Sequence, residues 1–378
     1  MTVAQTLGEV AKPRRLREMR DTERVILEAI RRQPDQSRAQ LAARLDLSPA
    51  LLSATIGAFL KEGWITEQRV REPARRGQPA LHLRLRPGAI AGIGVSLSTG
   101  GIRAAAMDLD GRVIQTVKDP IGAQDFEAGL ISVEAALAHL FPAADCFAGI
   151  TFWVPALINR QGEIEEVTPS QRGVDFMRYK RALEDRFGLP VRLESKCPAI
   201  DEAMYGSRPD ALIFMLFLDY GVGGSLIDGL RVFRGANGMA VNIGALVPES
   251  GPRPSLPDLA RCLGLADHEP GPDVFAALEA ISDPRLRDWT QSRGRAMSDP
   301  LSIVVQFFNP TDIVLSGLFP KSVLERLAAE IDLGRYDVPG RVPMPKPTLR
   351  IARHVGEDAL ASSAAAVSLY YALSEPGG

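Results

Sequence analysis

The stretch SRAQLAARLDLSPALLSATIGAFLKEG, residues 37–63, decides how the N-terminal part of this chain folds. Ser37 followed three residues later by Gln40 is typical of a helix start at which side chain and backbone cap each other. Ser48 followed by Pro49 marks a second helix start, because proline is favoured at the first helical position. The stretch therefore predicts two capped helices in succession, as in a helix-turn-helix.

The second of these helices is the candidate recognition helix. Its buried face is predicted by apolar residues at helical spacing, namely Leu52, Ile56 and Phe59. Small residues on the other face permit a close approach to base edges in the DNA major groove. We expect Ser53 and Thr55 to lie near the bases, with Ser48 at the start of the same helix.

The pattern after the helix pair predicts a two-stranded wing. ALHLRLR, residues 80–86, alternates strictly as a strand, and a turn-rich segment precedes it. Arginines in such an extended tip can lie in a narrow minor groove, where negative potential is concentrated. We therefore assign Arg75, Arg76 and Gln78 to DNA binding, in a winged helix-turn-helix.

The charge of the chain supports this interpretation. Residues 1–86 hold 17 Lys and Arg against 10 Asp and Glu, whereas residues 87–378 hold 27 against 36. A basic segment gains affinity by releasing counterions from phosphates, and an acidic body is oriented away from the duplex. Helix pairs also occur in protein–protein modules, and basic loops are often only solvated, but their combination in this order favours DNA. We predict a DNA-binding domain over 1–86 and a body over 87–378.

Composition sets the broad class. The chain has 378 residues, of which 46% are hydrophobic, enough for two or three cores. The N-terminus lacks a signal-peptide pattern, and no apolar run approaches a membrane span, so we expect a cytoplasmic protein without membrane contact. Cys146, Cys197 and Cys262 are odd in number and far apart, which favours reduced thiols and offers no metal-ligand spacing.

From residue 87 the pattern predicts an α/β domain. The predicted elements are strands over 90–95, 102–108 and 113–117, a helix over 126–140 and a strand over 148–154. Asp110 and Gly111 supply a hairpin turn between the second and third strands. Strand, hairpin, helix and strand in this order open an actin-like ATPase fold.

Seven segments in a fixed order make the assignment specific. They are RRGQPALHLRL (75–85), AGIGVSLSTGGIRAAAMDLDG (91–111), GITFWVPALINRQGEI (149–164), FGLPVRLESKCPAIDEAMYG (187–206), LDYGVGGSLIDGLRVFRGANGMAVNIGALVP (218–248), DIVLSGLF (312–319) and HVGEDALASSAAAVSLYYAL (354–373). In order and spacing this sequence resembles the ROK family of repressors, open reading frames and sugar kinases, and the winged front end resembles its repressor branch. The resemblance implies a body of two five-stranded lobes with a cleft between them.

The resemblance also implies a function. We expect a DNA-binding repressor of carbohydrate-related genes, whose kinase-like body senses an effector and forms a homodimer or higher homo-oligomer. Two alternatives stay open from the sequence. In the first, the chain is an active sugar kinase with an appended DNA-binding domain. In the second, it is a scaffold for oligomerisation that needs no ligand.

The chain departs from the family's kinases at their chemical positions. Ser195 and Lys196 stand where the kinases have Asn-Asp, whose Asp accepts a proton from the sugar, and an ammonium has no lone pair near neutral pH. Ser96 stands where the first phosphate hairpin has Asp. Asn242 and Ala245 replace the Glu and His that contact the sugar. We therefore expect no catalytic activity and no cofactor.

The same replacements remove the family's zinc site. Its kinases use that His as a zinc ligand beside a Cys-rich loop, and zinc needs about four nitrogen or sulfur ligands. Ala245 and the isolated Cys262 do not supply them. We expect no structural metal.

Ser195, Lys196 and Asn242 are the candidate effector-binding residues. Because two of them replace acidic groups, a sugar acid or phosphorylated sugar is expected to fit better than a neutral sugar. In the opposing interpretation, Lys196 pairs internally with an acidic neighbour and fills an unused cleft. The candidate neighbours are Glu194, Asp201 and Glu202.

Overall fold

The computed structural model describes residues 16, 18–70, 80–98, 101–120, 125–159, 161–167, 171–238, 240–248, 251–265, 274, 282–334 and 345–374. The tip of the predicted wing lies outside these residues. The predicted positions of Arg75, Arg76 and Gln78 therefore stay expectations from the sequence.

The N-terminal domain packs helices against a small antiparallel sheet. Its described elements are α1 (Asp21–Arg32), β1 (Gln36–Ser37), α2 (Arg38–Leu45), α3 (Pro49–Lys61), β2 (Ile65–Val70) and β3 (Ala80–Leu85). The sheet has the order β1-β3-β2, and β2 and β3 form the base of the wing. This is the predicted winged helix-turn-helix.

Local chemistry explains where the two helices of the motif begin. Ser37 Oγ accepts the N–H of Gln40 at 3.3 Å, and Gln40 Oε1 accepts the N–H of Ser37 at 2.8 Å. Ser48 Oγ accepts the N–H of Leu51 at 3.3 Å, with Pro49 at the first position of α3. Both caps satisfy backbone donors that have no partner inside the helix.

The body begins with a lobe built on five strands. Its elements are β4 (Ile90–Ser98), β5 (Gly101–Asp108), β6 (Val113–Asp119), α4 (Phe126–Leu140), β7 (Cys146–Trp153), β8 (Ala156–Ile158), β9 (Ile164–Val167), α5 (Phe176–Phe187) and β10 (Val191–Glu194). The main sheet has the order β10-β7-β4-β5-β6, while β8 and β9 pair separately. β4 to β6 are antiparallel, and β7 and β10 run parallel to β4.

A second lobe repeats this plan. Its elements are α6 (Cys197–Asp201), β11 (Leu212–Leu218), β12 (Val222–Asp228), β13 (Arg231–Phe233), α7 (Leu256–Leu263), α8 (Pro284–Ala296), α9 (Ser298–Phe308), β14 (Asp312–Gly317), α10 (Lys321–Ala329), β15 (Thr348–Ile351) and α11 (Ala359–Leu373). The sheet has the order β13-β12-β11-β14-β15. The matching strand order of the two sheets confirms the two-lobed, actin-like body.

The last helix, α11, returns to pack closely on the first lobe. A Cβ at Gly92 of β4 would collide with the carbonyl oxygen of Ala365, and one at Gly94 would collide with that of Ala361. Glycine at these two positions therefore lets the strand and helix backbones touch. This contact fixes α11 between the sheet and the N-terminal domain.

The helix α4 is apolar enough for a membrane span by composition, since Phe126–Ala143 meets that criterion of length and hydropathy. In the structure its buried residues pack on β5 and β6 of the first lobe. Val133 and Leu137 belong to the core of that lobe. The segment is therefore a core helix of the α/β fold.

The N-terminal domain shares an apolar cluster with the body. Ile26 and Leu27 of α1 are buried in one cluster with Met107, Met204 and Leu369. Complete burial of one such side chain stabilises by about 1.5–3 kcal/mol. The contact between the two domains is thus a packed interface.

Candidate DNA-binding surface and ligand cleft

Helix α3 presents small side chains to solvent. Ala50, Ser53, Ala54 and Gly57 are exposed, and a Cβ added at Gly57 meets no atom within 4 Å. The opposite face is held in the core by Leu52, Ile56 and Phe59. A helix of this shape can enter the major groove closely. We call Ala50, Ser53, Ala54 and Gly57 the recognition face.

Ser48 and Ser53 are both accessible. Ser48 lies at the N-terminus of α3, where backbone N–H groups and the helix dipole favour a phosphate. Ser53 lies one turn further along, on the recognition face. These positions suit a phosphate contact and a base contact, respectively.

The expectation that Thr55 contacts bases is wrong. Thr55 is only 3% exposed, on the core side of α3. It lies three residues after Leu52 and four before Phe59, and this spacing places all three on one helix face. Leu51, which the sequence pattern did not single out, is 38% exposed on the solvent side of the same helix.

Internal ion pairs use several of the arginines that make the N-terminal domain basic. Arg38 pairs with Glu67 at 2.7 Å, and Arg84 pairs with Asp35. Arg69 of β2 is exposed. The formal charge of the segment therefore overstates what is available to phosphates.

Lys196 directly precedes α6. Its Nζ donates to the carbonyl oxygen of Ala240, and its backbone N–H donates to Glu194 Oε1 at 2.9 Å. Burial lowers the pKa of Lys196; the negative charge of Glu194 opposes this shift, and the positive charge of Arg234 adds to it. The ammonium thus lies against an uncharged oxygen of the second lobe, and not in an ion pair with Glu194, Asp201 or Glu202.

The carboxylate of Glu194 is instead paired with Arg234 at 2.5 Å. Arg234 also donates to the hydroxyl of Tyr371 at 3.2 Å. We call Glu194, Lys196, Arg234 and Tyr371 the cleft cluster. With two cations against one carboxylate, the cluster carries a net positive charge, which favours an anion.

The other two candidate effector residues lie close to this cluster in the chain. Ser195 is half-buried between Glu194 and Lys196, and Asn242 is exposed two residues after Ala240. The bond from Lys196 to Ala240 therefore brings the segments that carry all three candidates together. Neither Arg234 nor Tyr371 was predicted, because their contacts join residues far apart in sequence.

Two further polar residues lie at the ends of strands that the sequence singled out, one in each lobe. Ser96 is 4% exposed on β4, opposite Arg103 and Trp153 of the neighbouring strands. Asp219 begins the glycine-rich turn between β11 and β12 and accepts the N–H of Gly221 at 2.8 Å. Burial raises the pKa of Asp219 to about 6.

A second group of polar side chains surrounds Asp201, the last residue of α6. His354 Nε2 is 4.0 Å from Asp201 Oδ2, and Arg353 Nη1 is 3.9 Å from Asp201 Oδ1. Burial raises the pKa of Asp201 to about 7, although the charge of Arg353 opposes this shift. Burial lowers the pKa of His354 to about 4, and the charge of Arg353 acts in the same direction. Among the residues that the structure describes, no group of three or more His, Cys, Asp or Glu is arranged to hold a metal.

Family models match two parts of the chain. The model described as "ROK family" matches residues 92–263, and that described as "Winged helix-turn-helix DNA-binding" matches residues 19–66. The two matches fall on the body and on the N-terminal domain. The fold and the family models thus agree in architecture.

The sequence is similar, at low identity, to those of several known proteins. An uncharacterised protein, y4fQ, of Sinorhizobium fredii is 26% identical over 84% of this chain and 83% of its own length. A putative xylose repressor of Caldicellulosiruptor is 26% identical over 55% of this chain. The match to the latter spans 54% of that protein, about half its length.

Solved structures share the fold. A ROK family transcriptional regulator, a homologue of the E. coli Mlc protein, superposes with a TM-score of 0.68 at 20% identity, covering 94% of this chain and 98% of its own. A ROK family glucokinase from Streptomyces griseus superposes with a TM-score of 0.55 at 20% identity, covering 72% of this chain and 98% of its own. The chain therefore carries a ROK family domain, preceded by an N-terminal winged helix-turn-helix DNA-binding domain.

Proposed function

We propose that this protein is a sequence-specific transcriptional repressor of carbohydrate-related genes, acting in the cytoplasm as a homodimer or higher homo-oligomer. The recognition face of α3 carries the proposal, because it is accessible and made of small residues, and because α3 is followed in the chain by the two strands at the base of a wing. The similar xylose repressor supports the assignment to sugar genes. Residues 1–86 bind the operator, and 87–378 sense an effector and associate.

Salt-dependent binding to duplex DNA tests the proposal. Each phosphate contact that is lost reduces the slope of log affinity against log salt by about 0.9. We expect the Arg75→Ala, Arg76→Ala double variant to bind more weakly and to show a shallower slope than the wild type. Unchanged affinity and slope would remove the wing from the DNA interface. If the wild-type protein binds no duplex, the proposed function is refuted.

We further propose that the effector is an anionic sugar derivative held by Lys196, Ser195 and Asn242. Lys196 is desolvated, and its ammonium bonds to an uncharged carbonyl. An anion in the cleft would gain a charge-assisted hydrogen bond and compensate the net positive charge of the cleft cluster. The opposing interpretation is that Lys196 permanently closes the cleft through Ala240.

A thermal-shift screen separates the two interpretations. Anything that binds only the folded state raises the melting temperature. A sugar acid or sugar phosphate that stabilises the wild type and not Lys196→Ala supports the sensor. No stabilisation by any tested sugar, with Lys196→Ala melting below the wild type, supports the closed cleft and a scaffold function.

The catalytic alternative has specific observations against it. By the resemblance of the sequence to the family's kinases, Lys196 stands where a general base is required, and Ser96 stands where the first phosphate hairpin has Asp. The fold is nevertheless shared with a ROK family glucokinase. We propose that the body is a kinase-like sensor without phosphoryl-transfer activity, and an assay for ATP-dependent turnover of hexoses decides.

A further inference from the structure

Helix α1 of the DNA-binding domain contacts the body through two arginines. Arg24 and Arg31 are seven residues apart, two helical turns, so they lie on one face. Arg24 Nη1 donates to the carbonyl of Ala372, near the end of α11. Arg31 Nη2 donates to the carbonyl of Met204 at 3.0 Å, and its guanidinium lies over the ring of Tyr205, 4.9 Å from the centroid.

The first contact is one residue from the cleft cluster. Tyr371 directly precedes Ala372, and its hydroxyl accepts a hydrogen bond from Arg234 at 3.2 Å. Arg234 is in turn paired with Glu194. A change in this ion pair therefore acts on the same turn of α11 that binds Arg24.

The second contact is connected to the cleft by a continuous helical segment. Lys196 directly precedes α6, which runs into a π-helical turn, Glu202–Gly206. Tyr205 follows Lys196 by nine positions, about 13 Å at 1.5 Å per residue. π-Helical turns are rare and frequently lie at functional sites.

The far end of this segment is held by groups from several elements. Arg353 also lies over the Tyr205 ring, 4.8 Å from the centroid, and it donates to the carbonyl of Gly111 at 2.7 Å. The Tyr205 hydroxyl donates to the carbonyl of Leu109 at 3.3 Å. The guanidinium groups of Arg31 and Arg353 both lie over the Tyr205 ring. A displacement of that ring therefore changes the position at which its cation–π interaction with Arg31 is strongest.

We propose that α1 transmits the state of the cleft to the DNA-binding domain through these two contacts, that of Arg24 with Ala372 and that of Arg31 with Met204 and Tyr205. The inference rests on the proposed function, because it assigns regulation to the same cleft. A ligand that draws the Lys196 ammonium away from the second lobe shifts the start of α6. The shift reaches α1 at Arg31 and changes how the DNA-binding domain is seated on the body.

Hydrogen exchange of the full chain tests this inference without DNA. Lys196→Met removes the ammonium and keeps an unbranched side chain, and Lys196→Gln serves as a second cleft variant should the first not fold. We expect the amides of α1 to exchange at least fivefold faster than in the wild type. Exchange in α10, which contacts neither arginine, is expected to stay unchanged.

Variants at the contact itself complete the design. Arg31→Met and Tyr205→Leu are each expected to accelerate exchange in α1, and either one combined with Lys196→Met should add less than a further twofold. Tyr205→Phe keeps the ring and should behave as the wild type. Arg178→Met is the matched control, since it removes a guanidinium from the ring of Phe126, 3.7 Å away, within the first lobe.

Two outcomes overturn the inference. One is unchanged exchange in α1 when a folded cleft variant exchanges faster around Ala240. The other is full additivity of the cleft and Arg31 substitutions, since independent effects exclude a shared connection. Absence of duplex binding by the wild type would instead overturn the proposed function. The exchange experiment, which uses no DNA, would still report whether the cleft cluster and α1 are coupled.

Discussion

Substitutions at Gly57 test whether α3 is the recognition helix. Glycine inside a helix costs about 0.5–1 kcal/mol relative to alanine. A Cβ at Gly57 meets no atom within 4 Å, so nothing in the described fold opposes a side chain there. Gly57→Ala is therefore expected to stabilise the N-terminal domain by about that amount, and Gly57→Glu should also fold, since Glu is a good helix former.

DNA binding should respond in the opposite direction. A carboxylate about 8 Å from one phosphate, at an effective dielectric constant of about 20, is repelled by roughly 2 kcal/mol. Because 1.4 kcal/mol is about tenfold in affinity, Gly57→Glu should weaken duplex binding by at least about tenfold. Gly57→Ala should fall between this variant and the wild type, since a methyl group only increases the distance of approach.

Two measurements on the same samples give the answer. Thermal melting reports folding, and fluorescence anisotropy with a labelled duplex reports affinity at fixed salt. Ile131→Glu is the matched control, because Ile131 is 68% exposed on α4 of the body and receives the same charge away from the recognition face. A folded Gly57→Glu protein that binds as tightly as the wild type would refute the assignment of α3.

The remaining predictions concern the body. We propose that Lys196 and Ala245 stand where the family's kinases have their general base and a zinc ligand. Purified protein is therefore expected to contain less than stoichiometric zinc and to show no ATP-dependent turnover of any hexose. Metal analysis giving one zinc per chain, or turnover above background, contradicts this. Because the pKa of His354 is lowered to about 4, below its ordinary 6.5, the unfolded chain takes up a proton that the folded protein does not, and stability is lost as pH falls from 6.5 towards 4. The difference in stability between wild type and His354→Gln should therefore change across that range, and a constant difference would show that His354 titrates normally.

Local signals were sufficient for much of the fold. The caps at Ser37 and Ser48 were predictable because their partners lie three residues away. The helix over 126–140 was predicted with the bounds that the structure gives α4. Thr55 is small like its exposed neighbours, but its angle around α3 places it on the buried side with Leu52 and Phe59.

The contacts of the cleft could not be predicted in the same way. Lys196 bonds to a backbone carbonyl 44 residues away, and no sequence pattern marks which carbonyl that is. The contact of Arg31 with Met204 joins residues 173 apart, in different domains. Such pairs depend on how the lobes and the N-terminal domain pack, which only the complete fold determines.

Selection of bound duplexes from a random-sequence library tests the central claim most directly. The account predicts enrichment of one sequence with two symmetric half-sites, about one or two helical turns apart, as expected for a dimer. The selected duplex should bind at least about 10³-fold more tightly than a scrambled one at physiological salt. A library that shows no enrichment, with equal binding of selected and scrambled duplexes, would contradict the claim that this protein is a sequence-specific regulator.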